Sequence, residues 1–406
     1  MFSLGKRARR DGRSLFIFFR ACLFANQTIL RNFAPCMIAP FSHPLYVMAK
    51  PVGSSCNLAC RYCYYLQKGS GKMSDELLET FIRQYIEAQT QPEVLFTWHG
   101  GEPLLQPLSF YERALQLQQK YAHGRHIDNC LQTNGTLLTD EWCDFLHRNN
   151  FLVGISMDGP EPLHNHYRQQ FRRVMHGVQL LQKHKVMWNA MATVNRHNAE
   201  RPLEFYQFFR DIGCEYLQFT PVVETVDGQP VRITAESVTP QQWGNFLVTL
   251  YDEWVKTDVG RLFVQFFDAT LACWVGQPPG LCSAGAYCGH SAALQPDGNL
   301  YSCDHFVDEA HLLGNIGKHT ITELMYSDRQ WFFGRQKHDG MAEKCHHCRY
   351  LFACHGECPK NRILPGNENY LCEGYHAYFR HVEHDMDWMA QALREGRAPA
   401  DIMLTK

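Results

Sequence analysis

The 406-residue chain has no charge bias: 39 lysines and arginines stand against 41 aspartates and glutamates, for a net charge of −2. Such a balance exerts no general pull on nucleic acid or on an anionic membrane, so neither is an expected partner. Also missing are any run of 18 apolar residues, any internal repeat and any low-complexity tract, and stable membrane insertion is therefore not expected. No clear cleavable signal is present, and the expected compartment is the cytoplasm. The first 44 residues differ from the rest. They are basic (Lys6, Arg7, Arg9, Arg10, Arg13, Arg20) and greasy (Leu15–Phe19), and Arg20 interrupts the apolar stretch. They read as an extension outside the fold, either disordered or preceding a true start near Met48, with a signal peptide or membrane-surface arm as the other reading.

What the chain has in excess is cysteine, 17 in all. An odd count in a long chain without a secretory signal argues against a disulfide framework. The cysteines also cluster. Cys56, Cys60 and Cys63 share one short segment, and Cys282, Cys288, Cys303, Cys345, Cys348, Cys354, Cys358 and Cys372 form a second set. Close clusters of thiols in a reducing compartment point to metal. Spacing alone leaves two chemistries open for both sets, zinc and iron–sulfur. The remaining six cysteines are scattered and read mostly as small buried apolar residues.

From residue 45 the apolar pattern alternates between strand and helix. Strands are expected over 45–50, 94–98, 127–132, 152–156, 186–194 and 216–220. Helices are expected between them, one capped by Ser74 or Asp75 and another by Thr139. Six such units argue for a parallel sheet with helices outside, as an open sheet or a partial barrel, with its chemistry at the carboxyl ends of the strands. After Pro240 one helix (about 241–256) leads into a turn-rich, cysteine-rich region. That region shows too little periodicity for a large core, and metal would supply the missing stability. The expected division is 1–44 extension, 45–240 core, 241–280 helical connection, 281–375 cysteine-rich domain, and 376–406 helix and tail.

Cys56-Asn-Leu-Ala-Cys60-Arg-Tyr-Cys63 after the first strand, with Gly100-Gly101-Glu102-Pro103 after the second, resembles the radical S-adenosylmethionine superfamily. The ordered eight-cysteine series resembles its SPASM extension, nearest to the anaerobic sulfatase-maturating enzymes. The resemblance implies a partial (β/α)6 TIM-like barrel followed by a SPASM domain. It implies a [4Fe–4S] cluster on Cys56, Cys60 and Cys63 that activates S-adenosylmethionine. Two auxiliary [4Fe–4S] clusters follow, one on Cys282, Cys288, Cys303 and Cys358, the other on Cys345, Cys348, Cys354 and Cys372. The crossed place of Cys358 comes from the family and not from spacing.

By the same resemblance, Tyr62, Gly101, Ser156, Arg168 and Leu217 contact S-adenosylmethionine, and Asp304 is the general base. On residues alone, Asp304 would be a solvated turn residue and Leu217 a core leucine. The implied reaction oxidises a Cys or Ser in a Cys/Ser-x-Pro-x-Arg segment of a sulfatase to Cα-formylglycine, with a flavodoxin- or ferredoxin-like electron donor. Two departures stand out. His99 occupies a place where glutamine is common, and the segment 169–173 after Arg168 is short. The rival readings are another SPASM peptide maturase, cross-linking or epimerising, and a zinc-stabilised binding module.

Overall fold

The computed structural model describes residues 45–226 and 232–406, so the expected extension over 1–44 lies outside the described residues. In chain order the first half contains β1 (Tyr46–Ala49), α1 (Asp75–Glu87), β2 (Glu93–Trp98), α2 (Leu108–Tyr121), β3 (His126–Thr133), α3 (Asp140–Arg148), β4 (Leu152–Ser156), α4 (Glu161–Tyr167), α5 (Phe171–Lys183), β5 (Met187–Val194), α6 (Pro202–Asp211) and β6 (Tyr216–Pro221). The second half contains α7 (Pro240–Thr257), β7 (Phe263–Val264), α8 (Gln265–Trp274), β8 (Ser291–Leu294), β9 (Asn299–Tyr301), β10 (Leu312–Asn315), α9 (Ile321–Met325), α10 (Asp328–Asp339), α11 (Glu343–His346), α12 (Leu351–Cys354) and α13 (Cys372–Arg394).

The ten strands among the described residues form one sheet in the order β10-β9-β8-β1-β2-β3-β4-β5-β6-β7. β1 to β6 are parallel neighbours in chain order, which makes six β/α units of a partial barrel. Alternation along each strand separates two faces. In β2, Val94, Phe96 and Trp98 are buried; the Phe96 ring packs on Phe81 and Tyr85 of α1, and the Trp98 ring on Phe110 and Tyr111 of α2. That is the outer, helix-covered face. Burying such aromatic side chains contributes roughly 2–3 kcal/mol each before entropy is counted. Leu95, Thr97 and then His99 fall on the opposite, inner face. The predicted caps are in place: Ser74 Oγ accepts from Leu77 N, and Thr139 Oγ1 from Trp142 N.

The cysteine-rich segment departs from expectation. It contributes β8, β9 and β10 to the core sheet. β8 pairs parallel with β1 (Ala49 opposite Leu294), and β9 and β10 follow antiparallel. The last helix begins at Cys372, before the expected boundary at 376, and packs along α7 through Gly374 against Gly244. A Cβ on Gly374 would lie 2.4 Å from the Pro240 carbonyl oxygen, so glycine sets how closely the two helices approach.

Candidate active site

The loop carrying Cys56, Cys60 and Cys63 leaves β1 and is held by backbone. Gly53 N donates to Lys50 O (3.0 Å), and Ser54 N to Gly69 O (2.8 Å). The β2 loop docks on it: Gly101 N donates to Gly53 O (2.7 Å), and Glu102 N to Ser55 O (2.8 Å). A Cβ on Gly101 would lie 2.0 Å from the Ser55 carbonyl oxygen. The sequence assigns this glycine to the approach of a ligand; the structure shows that the cysteine loop already requires it. Glu102 is fully buried and accepts from Leu104 N (3.0 Å), Thr133 Oγ1 (2.7 Å) and Asn134 N (2.8 Å), tying the loop to β3. Burial raises its carboxyl to about 7 despite those bonds. Asn134 in turn reaches Cys56 Sγ at 3.7 Å.

A second buried carboxylate, Asp158, sits just past β4. It accepts from the Tyr62 hydroxyl, from Arg168 Nε (3.2 Å) and Nη2 (3.4 Å), and from Thr193 N (2.9 Å). The guanidinium of Arg168 lies over the Tyr62 ring at 5.6 Å. Its carbonyl oxygen lies 3.9 Å from Cys60 Sγ. The short segment after Arg168 is accommodated by two residues in left-handed backbone, Gln169 (φ 77°) and Gln170 (φ 58°), before α5 starts. Ser156 is on the inner face and accepts from Gln132 Nε2 (3.0 Å). Tyr62, Gly101, Ser156 and Arg168 thus lie around the carboxyl ends of β1 to β4. Leu217 lies further along the sheet, on β6. It is fully buried, and it shares its strand face with Phe219, which packs on Trp243 and Phe246 of α7. The plain reading of Leu217 as a core residue fits that outer face, because β6 turns every second side chain to the helices.

Asp304 follows β9 and reaches the same end of the barrel. Tyr64 Oη donates to its Oδ2 (2.7 Å), and Lys50 Nζ stands 3.8 Å from the same oxygen. Lys50 is fully buried, has Tyr65 beneath it at 4.4 Å, and is 3.3 Å from His99 Nδ1. Burial alone would push the Asp304 carboxyl up; His305, Lys50 and the Tyr64 hydroxyl outweigh it and hold the group well below the usual range. The sequence reading missed Lys50 and Tyr64, and it placed Asp158 at the end of the fourth strand without giving it a role. A lysine ending an apolar strand was the available signal for Lys50, but it looks like an ordinary solvated strand end. Asp304 is not a solvated turn residue.

The eight later thiols fall into two groups. Cys303 and Cys358 interact with Cys282, and Cys358 with Cys288; Cys345 interacts with Cys348 and Cys372, and Cys354 with Cys345 and Cys372. Charge interactions link Cys358 to Cys282, Cys288 and Cys303, in keeping with the set that the family resemblance implies. All the described cysteines are free thiols. Three thiols on one loop and two separate sets of four suit three iron–sulfur clusters, the first with one iron left open for a ligand. Two fully or largely buried cations serve the later groups. Lys337 Nζ donates to the carbonyls of Cys282 (2.8 Å) and Ser283 (2.6 Å). Arg362 donates to those of Lys337 (2.6 Å), His355 (2.9 Å), Gly356 (3.1 Å) and Glu357 (3.3 Å).

Comparison with known proteins agrees with this geometry. The Radical SAM superfamily model matches residues 51–209, and that of the SPASM iron–sulfur cluster-binding domain matches residues 285–349. A serine-type anaerobic sulfatase-maturating enzyme of Bacteroides thetaiotaomicron is 54% identical over 397 residues, covering 90% of this chain and 96% of that one. The chain belongs to the anaerobic sulfatase-maturating enzymes. A cysteine-type member from Clostridium perfringens is 31% identical, over 84% of this chain and 96% of its own. The structure of another member, anSMEcpe with bound AdoMet and Cp18Cys peptide, superposes with a TM-score of 0.80 at 30% identity, over 86% of this chain and all of that one. As in that family, the protein is a radical S-adenosylmethionine oxidoreductase with iron–sulfur cofactors. Among the described residues no helix is long and apolar enough to cross a membrane.

Proposed function

We propose that the protein matures a sulfatase by oxidising the serine of a Ser-x-Pro-x-Arg segment to Cα-formylglycine, with cysteine as the poorer target. The observation that carries this reading is Asp304, a largely buried carboxylate at the barrel end that accepts from Tyr64, beside Cys63, and faces Lys50. The preference for serine is supported by 54% identity to a serine-type relative against 31% to a cysteine-type one.

Cys56, Cys60 and Cys63 would hold the first [4Fe–4S] cluster, and the two sets of four thiols the auxiliary pair. When bound, these groups and S-adenosylmethionine supply the 5′-deoxyadenosyl radical that removes hydrogen from the target Cβ, and take up the electron the product must lose. The chain's own residues do the rest. Arg168 and Tyr62, anchored by Asp158, together with Gly101 and Ser156, position S-adenosylmethionine. Asp304 accepts the proton of the target hydroxyl as the C=O bond forms. Tyr64 and Lys50 keep that carboxylate ionised and aimed. In this reading residues 45–240 start the radical and 281–375 carry the auxiliary groups, even though β8 to β10 share the core sheet. The first electron comes from a flavodoxin- or ferredoxin-like donor.

Anaerobic reconstitution with S-adenosylmethionine and a Ser-x-Pro-x-Arg peptide tests the reading. Mass spectrometry is expected to show loss of two hydrogens from the serine, with one 5′-deoxyadenosine per formylglycine. Asp304→Asn should keep its iron and still cleave S-adenosylmethionine but lose formylglycine by at least about 100-fold. Deoxyadenosine without peptide change in the wild type would transfer the enzyme to another substrate.

A further inference from the structure

His99 is held in one tautomer. Its Nδ1 lies 2.7 Å from Gly100 N and 3.3 Å from Lys50 Nζ. A backbone N–H can only donate, so Nδ1 carries the lone pair and the ring proton sits on Nε2. The strand register fixes where that proton faces. Met48 pairs with Thr97 and Ala49 with Trp98, so Lys50 and His99 come next on adjacent strands. Trp98 points to the helices, and His99 therefore points inward. Lys50 is sealed, whereas His99 is only half-buried, so the ring opens on the barrel interior. Nε2 lies across the ring from both donors. Lys50 Nζ also stands 3.8 Å from Asp304 Oδ2, so His99 and the base share one neighbour. Burial, reinforced by Lys50, lowers the imidazole to about 3, so the ring is neutral at working pH.

We propose that the Nε2–H of His99 donates a hydrogen bond to the side-chain oxygen of the target serine and so determines the preference for serine over cysteine. This rests on the function proposed above. Serine needs the help more than cysteine does. A thiol titrates near about 8.5, whereas a hydroxyl is far less acidic, and sulfur is a weak acceptor. Hydrogen-atom removal from Cβ leaves a carbon radical beside the hydroxyl. Transfer of the O–H proton to Asp304 leaves negative charge on oxygen, and loss of one electron to an oxidised auxiliary cluster completes the C=O bond. A fixed donor on that oxygen stabilises the charge as it develops.

Two replacements separate donor from packing. Asparagine places an amide oxygen where Nδ1 stands, which keeps an acceptor for Lys50 and Gly100 but puts nothing at Nε2. Glutamine places an amide N–H2 near Nε2. Wild type, His99→Asn and His99→Gln are reconstituted anaerobically and given paired peptides that differ only in Ser or Cys at the target. Iron content and peptide-free cleavage of S-adenosylmethionine are measured alongside. The Asn variant should lose about 100-fold in formylglycine from the serine peptide. Its loss on the cysteine peptide should be at least tenfold smaller, and Gln should recover most of the serine loss. Equal losses on both peptides, no loss on serine, or identical behaviour of Asn and Gln would overturn the proposal. If the wild type converts neither peptide, the proposed function fails instead.

Discussion

The two cysteine-bearing regions are built in opposite ways. The Cys56–Cys63 loop is fastened by protein that is complete without it. Its flanks bond to β1 and to the β2 loop through backbone, and Glu102 and Asp158 lock those loops to β3 and β5. The later region has strands of three or four residues and helices α11 and α12 of four. Its ligand-bearing turns hang instead on two cations, Lys337 and Arg362, whose donors satisfy six carbonyls between them. The difference teaches where metal does structural service. A site on a finished sheet can spare its cluster for chemistry, whereas short elements around eight thiols draw part of their folding free energy from the metal.

Deleting ligands should produce the widest separation between the two regions. Replacing Cys56, Cys60 and Cys63 together by alanine should abolish 5′-deoxyadenosine formation and remove about a third of the iron, while thermal unfolding stays within about 3 °C of wild type. Replacing Cys345, Cys348, Cys354 and Cys372 should lower the unfolding temperature by about 10 °C or more. Equal thermal losses, measured by anaerobic calorimetry, would erase the distinction.

A smaller effect is expected from the cation that organises the later region. Arg362→Met keeps the volume but leaves the carbonyls of Lys337, His355 and Glu357 without this donor, and each orphaned group costs about 1 kcal/mol or more. The variant should unfold at least about 3 kcal/mol more easily in urea and reconstitute with less auxiliary iron. Its first cluster should still cleave S-adenosylmethionine. A Cβ on Gly356 would come within 2.7 Å of Arg362 Nη2, so Gly356→Ala should mimic part of this loss.

The same contrast explains what the sequence disclosed. Strands β1 to β6 were legible because each is an apolar run bounded by turns, and β4 begins and ends where its pattern does, at Leu152 and Ser156. β8 to β10 were not, because these short strands lie among turns with no helix alternating between them, and they form by adding in succession to the edge of β1. Helix α4 escaped notice as well: seven residues with a proline at the second position give too short a pattern. Among site residues, motif spacing located the thiols and Gly101. Lys50, Tyr64 and Asp158 owe their roles to partners 254, 240 and 96 residues away in the chain, which no local pattern encodes. Leu217 shows the reverse case, a position whose strand face depends on a sheet register that residue type does not reveal.

A further expected effect lies away from both thiol regions, in the α7–α8–α13 layer between them. Asp268 in α8 has a buried Oδ2 with no hydrogen-bond partner among the described residues, and burial raises its carboxyl to about 8. The folded state therefore binds a proton that the unfolded chain releases near about 3.9. The contribution is fully present below the unfolded value and is lost as pH rises through about 8. Asp268→Asn cannot ionise and should not lose it. Against that variant, the wild type should grow less stable as pH rises from 5 to about 8 and level off above it. Urea unfolding of both proteins at several pH values reads the difference directly. A constant gap would mean that Asp268 is ionised throughout and paired with a cation. In that case the layer between the two regions would tolerate a buried charge as the Asp158 site does, and the contrast would belong to the thiol-bearing turns alone.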